Sequence, residues 1–480
     1  MNNKFGYLPP EERKKILLIC DDIRAHSGVA TVAREVVIHT SHHFNWVNIA
    51  GSIKHPEFGK RLDISADTNT MAGISDASVI LYPANEYGGP DMLRQLIKLE
   101  KPDAIMLITD PRYFVWLFSM ENEIRKNIPI TYLNIWDDYP APHYNKAYYE
   151  ACDLLMGISK QTVNINNLVL GEKAKNKIIR YVPHGLNETI FYPITSESPS
   201  YSKFQEFKKT FYNNKEYDFV LFFNSRNIRR KQIPDTMLAY KYFIDQLPEE
   251  KAKKCAFVLH TELVNDHGTD LLAIQELLLN GDKYNVIFTN KTLNTEELNF
   301  IYNSSDCQIL LTSNEGWGLS LTEAILVGNP IIANVTGGMQ DQMGFIDENG
   351  NWFTPSTEIP SNNTGKYKEH GEWAFPVYPT NRSIQGSPQT PYIWDDRCNP
   401  EDAANQLMAV YSLSKEERKS KGLKGREWAL NEAGFTSKVQ GERVIEAFDT
   451  LFSTWKPREK YELIDVNKVE DKVVNHKLLY

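Results

Sequence analysis

Short apolar runs alternate along this chain with longer stretches of helical period, and the alternation predicts a fold class before any single residue is weighed. KKILLIC, FNWVNIAG, SVILYPA, DAIMLITD, ITYLNIWD, LLMGIS and IIRYVPHG read as buried strands, separated by helical stretches such as GVATVAREVVIHT and PDMLRQLIKLEK. Such a series predicts a mainly parallel sheet with helices on both faces, an α/β architecture. The polar stretch ITSESPSYSKFQEFKKTFYNNKEY interrupts it, and the series then restarts as DFVLFFN, AFVLHTE, NVIFTN, CQILLTS and NPIIANV. Two sheets of this kind facing one another predict a cleft between their carboxyl ends, where the ligands of α/β proteins sit. Three helical patterns follow, the last being SKVQGERVIEAFDTLFSTW.

These boundaries divide the chain into a Rossmann-like domain over 1–195, a linker over 196–216, a second Rossmann-like domain over 217–436, and a final helix with a charged tail over 437–480. Tyr461, Leu463 and Ile464 give the tail some apolar surface with which to pack. A length of 480 residues suits two domains, each with its own core. The net charge of −9 argues against a general nucleic-acid binder and an electrostatically held membrane protein. No apolar run is long enough to cross a bilayer, and MNNKFGYLPPEERKK lacks the apolar stretch of a secretory signal, so a cytoplasmic location is expected. Cys20, Cys152, Cys255, Cys307 and Cys398 form no close pairs, which points away from a disulfide framework or a cysteine zinc site. The aspartate pairs Asp21-Asp22, Asp137-Asp138 and Asp395-Asp396 read equally as turn or helix-start residues, and the histidines have no metal-ligand spacing. Neither a metal nor another cofactor is expected.

Most of the chemistry concentrates in residues 314–330, NEGWGLSLTEAILVGNP. A strand pattern precedes the glycines and a short helix follows them. Gly316 and Gly318 are expected to take positive φ angles and bring backbone N–H groups close to a ligand, while the helix N-terminus favours negative charge. Phosphate is the expected guest. Ser320 followed by Glu323 also has the form of a capping box, which accounts for Glu323 by helix stability alone. Glu315 has no such explanation, and a carboxylate just ahead of a phosphate-ready turn needs a partner such as sugar hydroxyls.

Glu315-Gly316-Trp317-Gly318-Leu319, with Glu323-Ala324 after three further residues, resembles the signature of the retaining family 4 glycosyltransferases of the GT-B fold. RNIRRK, VPHGLNETIFYP and TGGMQD extend the resemblance along most of the chain. It implies two Rossmann-like domains facing across a cleft, a last helix crossing back to the first domain, and transfer of a sugar from a nucleotide-diphosphate donor to an acceptor hydroxyl. The activity implied is retaining and needs no metal, with a glycan or small molecule as the acceptor. Arg226 and Lys231, five apart, match the pair that holds the diphosphate, and with Glu315 they are the implied catalytic residues. Arg229 and Arg230 read instead as a solvated basic loop. Gly316, Trp317, Gly318 and Leu319 would touch the donor sugar or phosphate, Glu323 the ribose, and Gly28 the phosphate region. Base contacts are placed near Asn290.

First-domain residues of the acceptor side or cleft are Ser27, Trp136, Asp137, His143 and His184, with Gly338 from the second domain. Here the chain departs from the family, which often has a histidine where this sequence reads Trp136-Asp137-Asp138. His143 is the nearby alternative, or a surface residue. His184 and Asn187 stand where relatives have Asn and Asp, and Asp341 where Glu is usual. A long insertion over about 351–399 carries Trp373, Phe375, Tyr378, Tyr392 and Trp394. Two readings stand side by side: aromatic faces for sugar stacking, with Trp373 and Trp394 in the acceptor region, or a loop stapled to a domain surface. Three alternatives to a transferase remain open in the sequence: a nucleotide-sugar epimerase, a nucleotide-sugar hydrolase, and a noncatalytic nucleotide-sugar or glycan-binding protein. A DNA glucosyltransferase fits the acidic balance less well.

Overall fold

A computed structural model describes residues 6–289 and 293–459, so Asn290 and the tail residues Tyr461, Leu463 and Ile464 lie outside the described residues. Eight strands form the first sheet: β1 (Lys14–Asp21), β2 (Phe44–Ser52), β3 (Leu62–Asp63), β4 (Val79–Asn85), β5 (Ala104–Ile108), β6 (Ile130–Asn134), β7 (Leu154–Gly157) and β8 (Ile178–Tyr181). Their order is β3-β4-β2-β1-β5-β6-β7-β8, and every pairing is parallel except β3 with β4. The second sheet contains β9 (Phe219–Asn224), β10 (Cys255–His260), β11 (Asn285–Thr289), β12 (Cys307–Leu310), β13 (Ile331–Asn334) and β14 (Ala374–Val377). All five of its pairings are parallel, in the order β11-β10-β9-β12-β13-β14.

The physical reason for the parallel arrangement is visible in β1, where Ile16, Leu17, Leu18, Ile19 and Cys20 are all 0 % exposed. Both faces of such a strand must be covered, as crossover helices do. Each sheet reverses its winding at a central strand, β1 in the first and β9 in the second, and the crevice outside the carboxyl ends is the ligand position at such a switch. The loops after β1, β9 and β12 are the ones that carry Gly28, Arg226–Lys231 and the Glu315 turn.

The strands read from the sequence are present. Three further strands lie inside the insertion. β14 escapes the pattern because Pro376 sits within it, and an edge strand tolerates a residue without an N–H. The other two, β15 (Asn381–Ser387) and β16 (Thr390–Arg397), form an antiparallel hairpin with a register shift at Gln385/Ser387. Polar positions on both of its faces hide the period of two that would have marked it.

Helix Ser437–Thr454 crosses back to the first domain. Phe448 meets Phe44 at 5.4 Å, and His43 Nε2 lies 3.1 Å from Asp449. At its start the chain runs against residues 184–186: Ser437 N–H donates to Leu186 O at 3.0 Å and Leu186 N–H to Phe435 O at 3.1 Å. A Cβ on Gly185 would stand 2.1 Å from Thr436 O, so this crossing requires glycine. All five cysteines are buried and free, and among the described residues no helix is long and apolar enough to cross a membrane. Replacing Gly185 with alanine is expected to lower stability by about 1–3 kcal/mol through overpacking. Thermal unfolding by circular dichroism checks this; an unchanged midpoint would show that the crossing tolerates a side chain.

Candidate active site

Helix Leu319–Val327 begins directly at the glycine turn, with Gly318 as its N-cap at φ 88° and no side chain capping its first N–H groups. Only glycine adopts that backbone without strain. Gly316 does not take a positive φ, contrary to the sequence expectation. What it supplies is room, since a Cβ there would meet Ile135 O at 2.7 Å and Asp137 Oδ1 at 3.0 Å on the first domain. Gln342, which the sequence did not single out, braces the turn by donating to Trp317 O at 2.7 Å and Gly318 O at 3.2 Å. The Trp317 indole points inward, donating to Thr322 Oγ1 at 2.9 Å and meeting Phe435 edge-on at 4.9 Å, so its backbone is what lines the turn. Leu319 faces Gly28, whose Cβ would stand 3.6 Å from Leu319 Cδ1.

The capping box does not form. Glu323 instead accepts from Tyr302 Oη at 2.6 Å and Asn224 Nδ2 at 3.1 Å, and burial pushes its pKa up to about 7 against the pull of both donors.

The loop after β9 tightens into a 3-10 turn over Arg229–Lys231, followed by Gln232 at φ 50°. This geometry aims Arg230 and Lys231 at one carboxylate: both donate to Glu315 Oε2, Arg230 at 2.9 Å. Arg230 Nη1 also donates to Asn314 O at 2.6 Å and lies 4.0 Å from Asp137 Oδ2. Burial raises the Glu315 pKa, but Arg230 and then Lys231 outweigh it and hold the carboxyl at about 2. The Lys231 pKa is lowered by burial, with Glu315 opposing. Arg230 is therefore no solvated loop residue, correcting the sequence reading. Arg226 is exposed, with no side-chain hydrogen bond or ion pair among the described residues, and the exposed Arg229 reaches Gln385 at 3.5 Å. Beside this loop, Asn227, Gln232, Thr269, Ser383 and Arg397 line part of a cavity of about 310 Å³. Among the described residues no group of three or more His, Cys, Asp or Glu is arranged to hold a metal ion.

Residues 205–359 match the family described as glycosyl transferases group 1. The chain carries a group 1 glycosyltransferase domain. Its GT-B fold is shared with solved structures of low identity. Sucrose-phosphate synthase from Thermosynechococcus elongatus has a TM-score of 0.65 at 14 % identity, covering 92 % of this chain and 100 % of its own. A glycosyltransferase from Rickettsia africae has a TM-score of 0.61 at 14 % identity, with the same coverages of 92 % and 100 %. Anabaena Alr3699/HepE, solved with UDP and glucose, has a TM-score of 0.61 at 12 % identity, again covering 92 % and 100 %. No curated protein matches the sequence.

Several first-domain residues of the glycosyltransferase lie elsewhere than expected. Ser27 caps helix Gly28–Thr40, accepting from Ala30 N–H at 3.0 Å and donating to Asp21 at 2.5 Å. Trp136 is a core residue, 6 % exposed, with its indole donating to Asp138 O at 2.8 Å. His143 is exposed in a short 3-10 turn and does not join the cluster. His184 does lie beside it, 6.3 Å from the Trp317 ring, and burial lowers its pKa to about 3 against the pull of Glu315, so it is neutral. Gly338 is a seam residue whose Cβ would stand 2.0 Å from Gly316 O. Asp341 joins the domains, accepting from Lys160 N–H and Tyr181 Oη, both at 2.9 Å.

The insertion's aromatics act as staples. Trp373 has its faces occupied by Trp428 at 4.8 Å and by glycines 344, 371 and 425, which leaves none for a sugar. Trp394 anchors the hairpin to the first domain through its N–H, which donates to Tyr139 O at 2.7 Å, and Arg382 lies 5.5 Å from its ring centre. Tyr144 Oη donates to Tyr392 O at 2.8 Å nearby. On the other side, Ser313 donates to Asp395 and Asp396 N–H to Ser313 O at 2.9 Å. Thr336 Oγ1 stands 2.9 Å from carboxylate oxygens of both Asp138 and Asp396, which are 1 % and 0 % exposed. Burial and then the Asp396 charge hold Asp138 well above the usual carboxylate range.

Carboxyl titration by ¹³C NMR is expected to show Glu323 ionising near pH 7, and Tyr302→Phe, which removes a donor to the charged form, is expected to raise that value further. A Glu323 titration near 4.5 would contradict the buried environment.

Proposed function

We propose that this glycosyltransferase moves a sugar from a nucleoside-diphosphate sugar to an acceptor hydroxyl, with retention and without a metal, in cytoplasmic glycan or glycoconjugate synthesis. The observation that carries the reading is the convergence of Arg230, Lys231 and an uncapped helix N-terminus at one glycine turn. Fixed positive charge and backbone N–H groups of this kind stabilise a leaving diphosphate as its charge develops. Structures of similar fold support the donor class: Alr3699/HepE is described with UDP-glucose, and an Escherichia coli trehalose-6-phosphate protein with UDP-2-fluoro glucose.

In this mechanism the acceptor hydroxyl attacks on the face from which the diphosphate departs, and an oxygen of the leaving phosphate takes its proton. Arg226 and Lys231 neutralise the diphosphate, Glu315 accepts from donor-sugar hydroxyls and Glu323 from the ribose. Gly28 and Leu319, opposed across the domains, bound the donor space.

Thermal stability with UDP, GDP, ADP and CMP, each with magnesium and with EDTA, tests the donor and the metal together, because a ligand of the native state raises stability by mass action. One diphosphate is expected to stabilise the protein equally in EDTA; a shift that vanishes in EDTA would overturn the metal-free reading. With that donor, Arg226→Ala, Lys231→Ala and Glu315→Gln are each expected to lower turnover by ~10²–10³. Near-native turnover in any one removes that residue from the mechanism, and free sugar released without acceptor would mark a hydrolase. The ionised Glu323 carboxylate is the stronger acceptor for the ribose hydroxyls, so kcat/KM for the donor is expected to fall as pH drops through about 7 and to rise above it. Glu323→Gln should flatten that limb of the pH profile.

A further inference from the structure

Resting on the reading above, we propose that Arg230 is a diphosphate-binding residue alongside Lys231, and that Glu315 is their resident counter-anion, exchanged for the diphosphate when the donor binds. Arg230 is placed for this by its own backbone. Its carbonyl accepts from Ser313 N–H at 2.8 Å and Thr312 Oγ1 at 3.0 Å, which fastens the residue to the end of β12. The 3-10 turn then carries the guanidinium over the glycine turn, with Nη1 on Asn314 O and Glu315. Nε and Nη2 of Arg230 donate to no group among the described residues, so a fork of N–H groups remains for a second anion. Arg229, one residue earlier, points outward to the hairpin.

Glu315 is the only carboxylate within hydrogen-bond distance of either cation among the described residues, and one oxygen, Oε2, receives both. A diphosphate offers several such oxygens and a higher charge, so it competes for the same donors. Once the donor's phosphates hold Arg230 and Lys231, the Glu315 carboxylate is released to accept from sugar hydroxyls. Recognition of the sugar thereby depends on the diphosphate being seated. Asp137, 4.0 Å from Arg230 on the first domain, keeps the guanidinium near the seam while its partner changes.

Calorimetric titration with inorganic pyrophosphate, and with the nucleoside diphosphate that most stabilises the wild type, separates these roles. Arg230→Gln is expected to weaken both ligands roughly tenfold or more, while Arg229→Gln leaves them unchanged. Glu315→Gln is expected to bind pyrophosphate more tightly, by roughly tenfold, although its turnover falls. The opposite signs of binding and turnover in that variant are not produced by misfolding, and thermal midpoints of all three variants verify the fold. Wild-type affinity in Arg230→Gln, or unchanged or weaker affinity in Glu315→Gln, overturns the proposal with the donor class intact. If no diphosphate binds the wild type, the donor reading itself fails and this inference falls with it.

Discussion

Everything at this site hangs on a backbone-to-backbone contact that only glycine permits. A Cβ on Gly337 would stand 1.9 Å from Glu315 O, and one on Gly338 would stand 2.0 Å from Gly316 O. Gly316 in turn lies against Ile135 O and Asp137 of the first domain. Three turns, after β6, β12 and β13, therefore meet without intervening side chains. That closeness leaves Glu315, Arg230 and Asp137 within a few ångströms of one another, and interiors packed this tightly transmit small displacements. The surrounding seam is polar and tied by hydrogen bonds: Gln340 donates to Gln161 at 2.9 Å, and Asp341 receives the Lys160 N–H.

Electrostatics follow from that geometry. Two cations and two carboxylates share a poorly solvated space, where desolvation opposes every charge and only close pairing offsets it. Glu315 wins its charge through two donors, whereas Asp137, with its nearest cation at 4.0 Å, has its pKa raised by burial despite Arg230. His184 adds no charge because burial keeps it neutral. An incoming anion can take over the two donors of Glu315, and the released carboxylate then needs the sugar hydroxyls as its donors.

The β15–β16 hairpin gives the cleft a second tie. It holds the first domain through Trp394 and Tyr392 and the second through Asp395 and Asp396, beside the same β12 end that carries Arg230 and Glu315. Thr336 links Asp138 and Asp396 at their meeting point. The aspartate pairs that looked unrelated in the sequence thus face each other across the seam. Hydrogen bonding to the neutral form of a buried carboxyl is what such a meeting favours.

The chain alone determined the two sheets, since uninterrupted apolar runs of strand length separated by helical periods have few other solutions. It also determined the glycine turn and its flanking carboxylates, because backbone freedom and charge at a helix start are local properties carried by Gly318 and Glu315 themselves. It did not determine which arginine turns inward. Arg226, Arg229 and Arg230 are chemically alike, and only the two hydrogen bonds from Ser313 N–H and Thr312 Oγ1 to the Arg230 carbonyl, with the 3-10 turn at Arg229–Lys231, distinguish them. Trp136 and Trp373 were ambiguous for the same reason: an aromatic ring serves a core or a sugar equally well until its neighbours are known. Tertiary structure decided each of these by burial, a property of residues far apart in the chain, which no local pattern records.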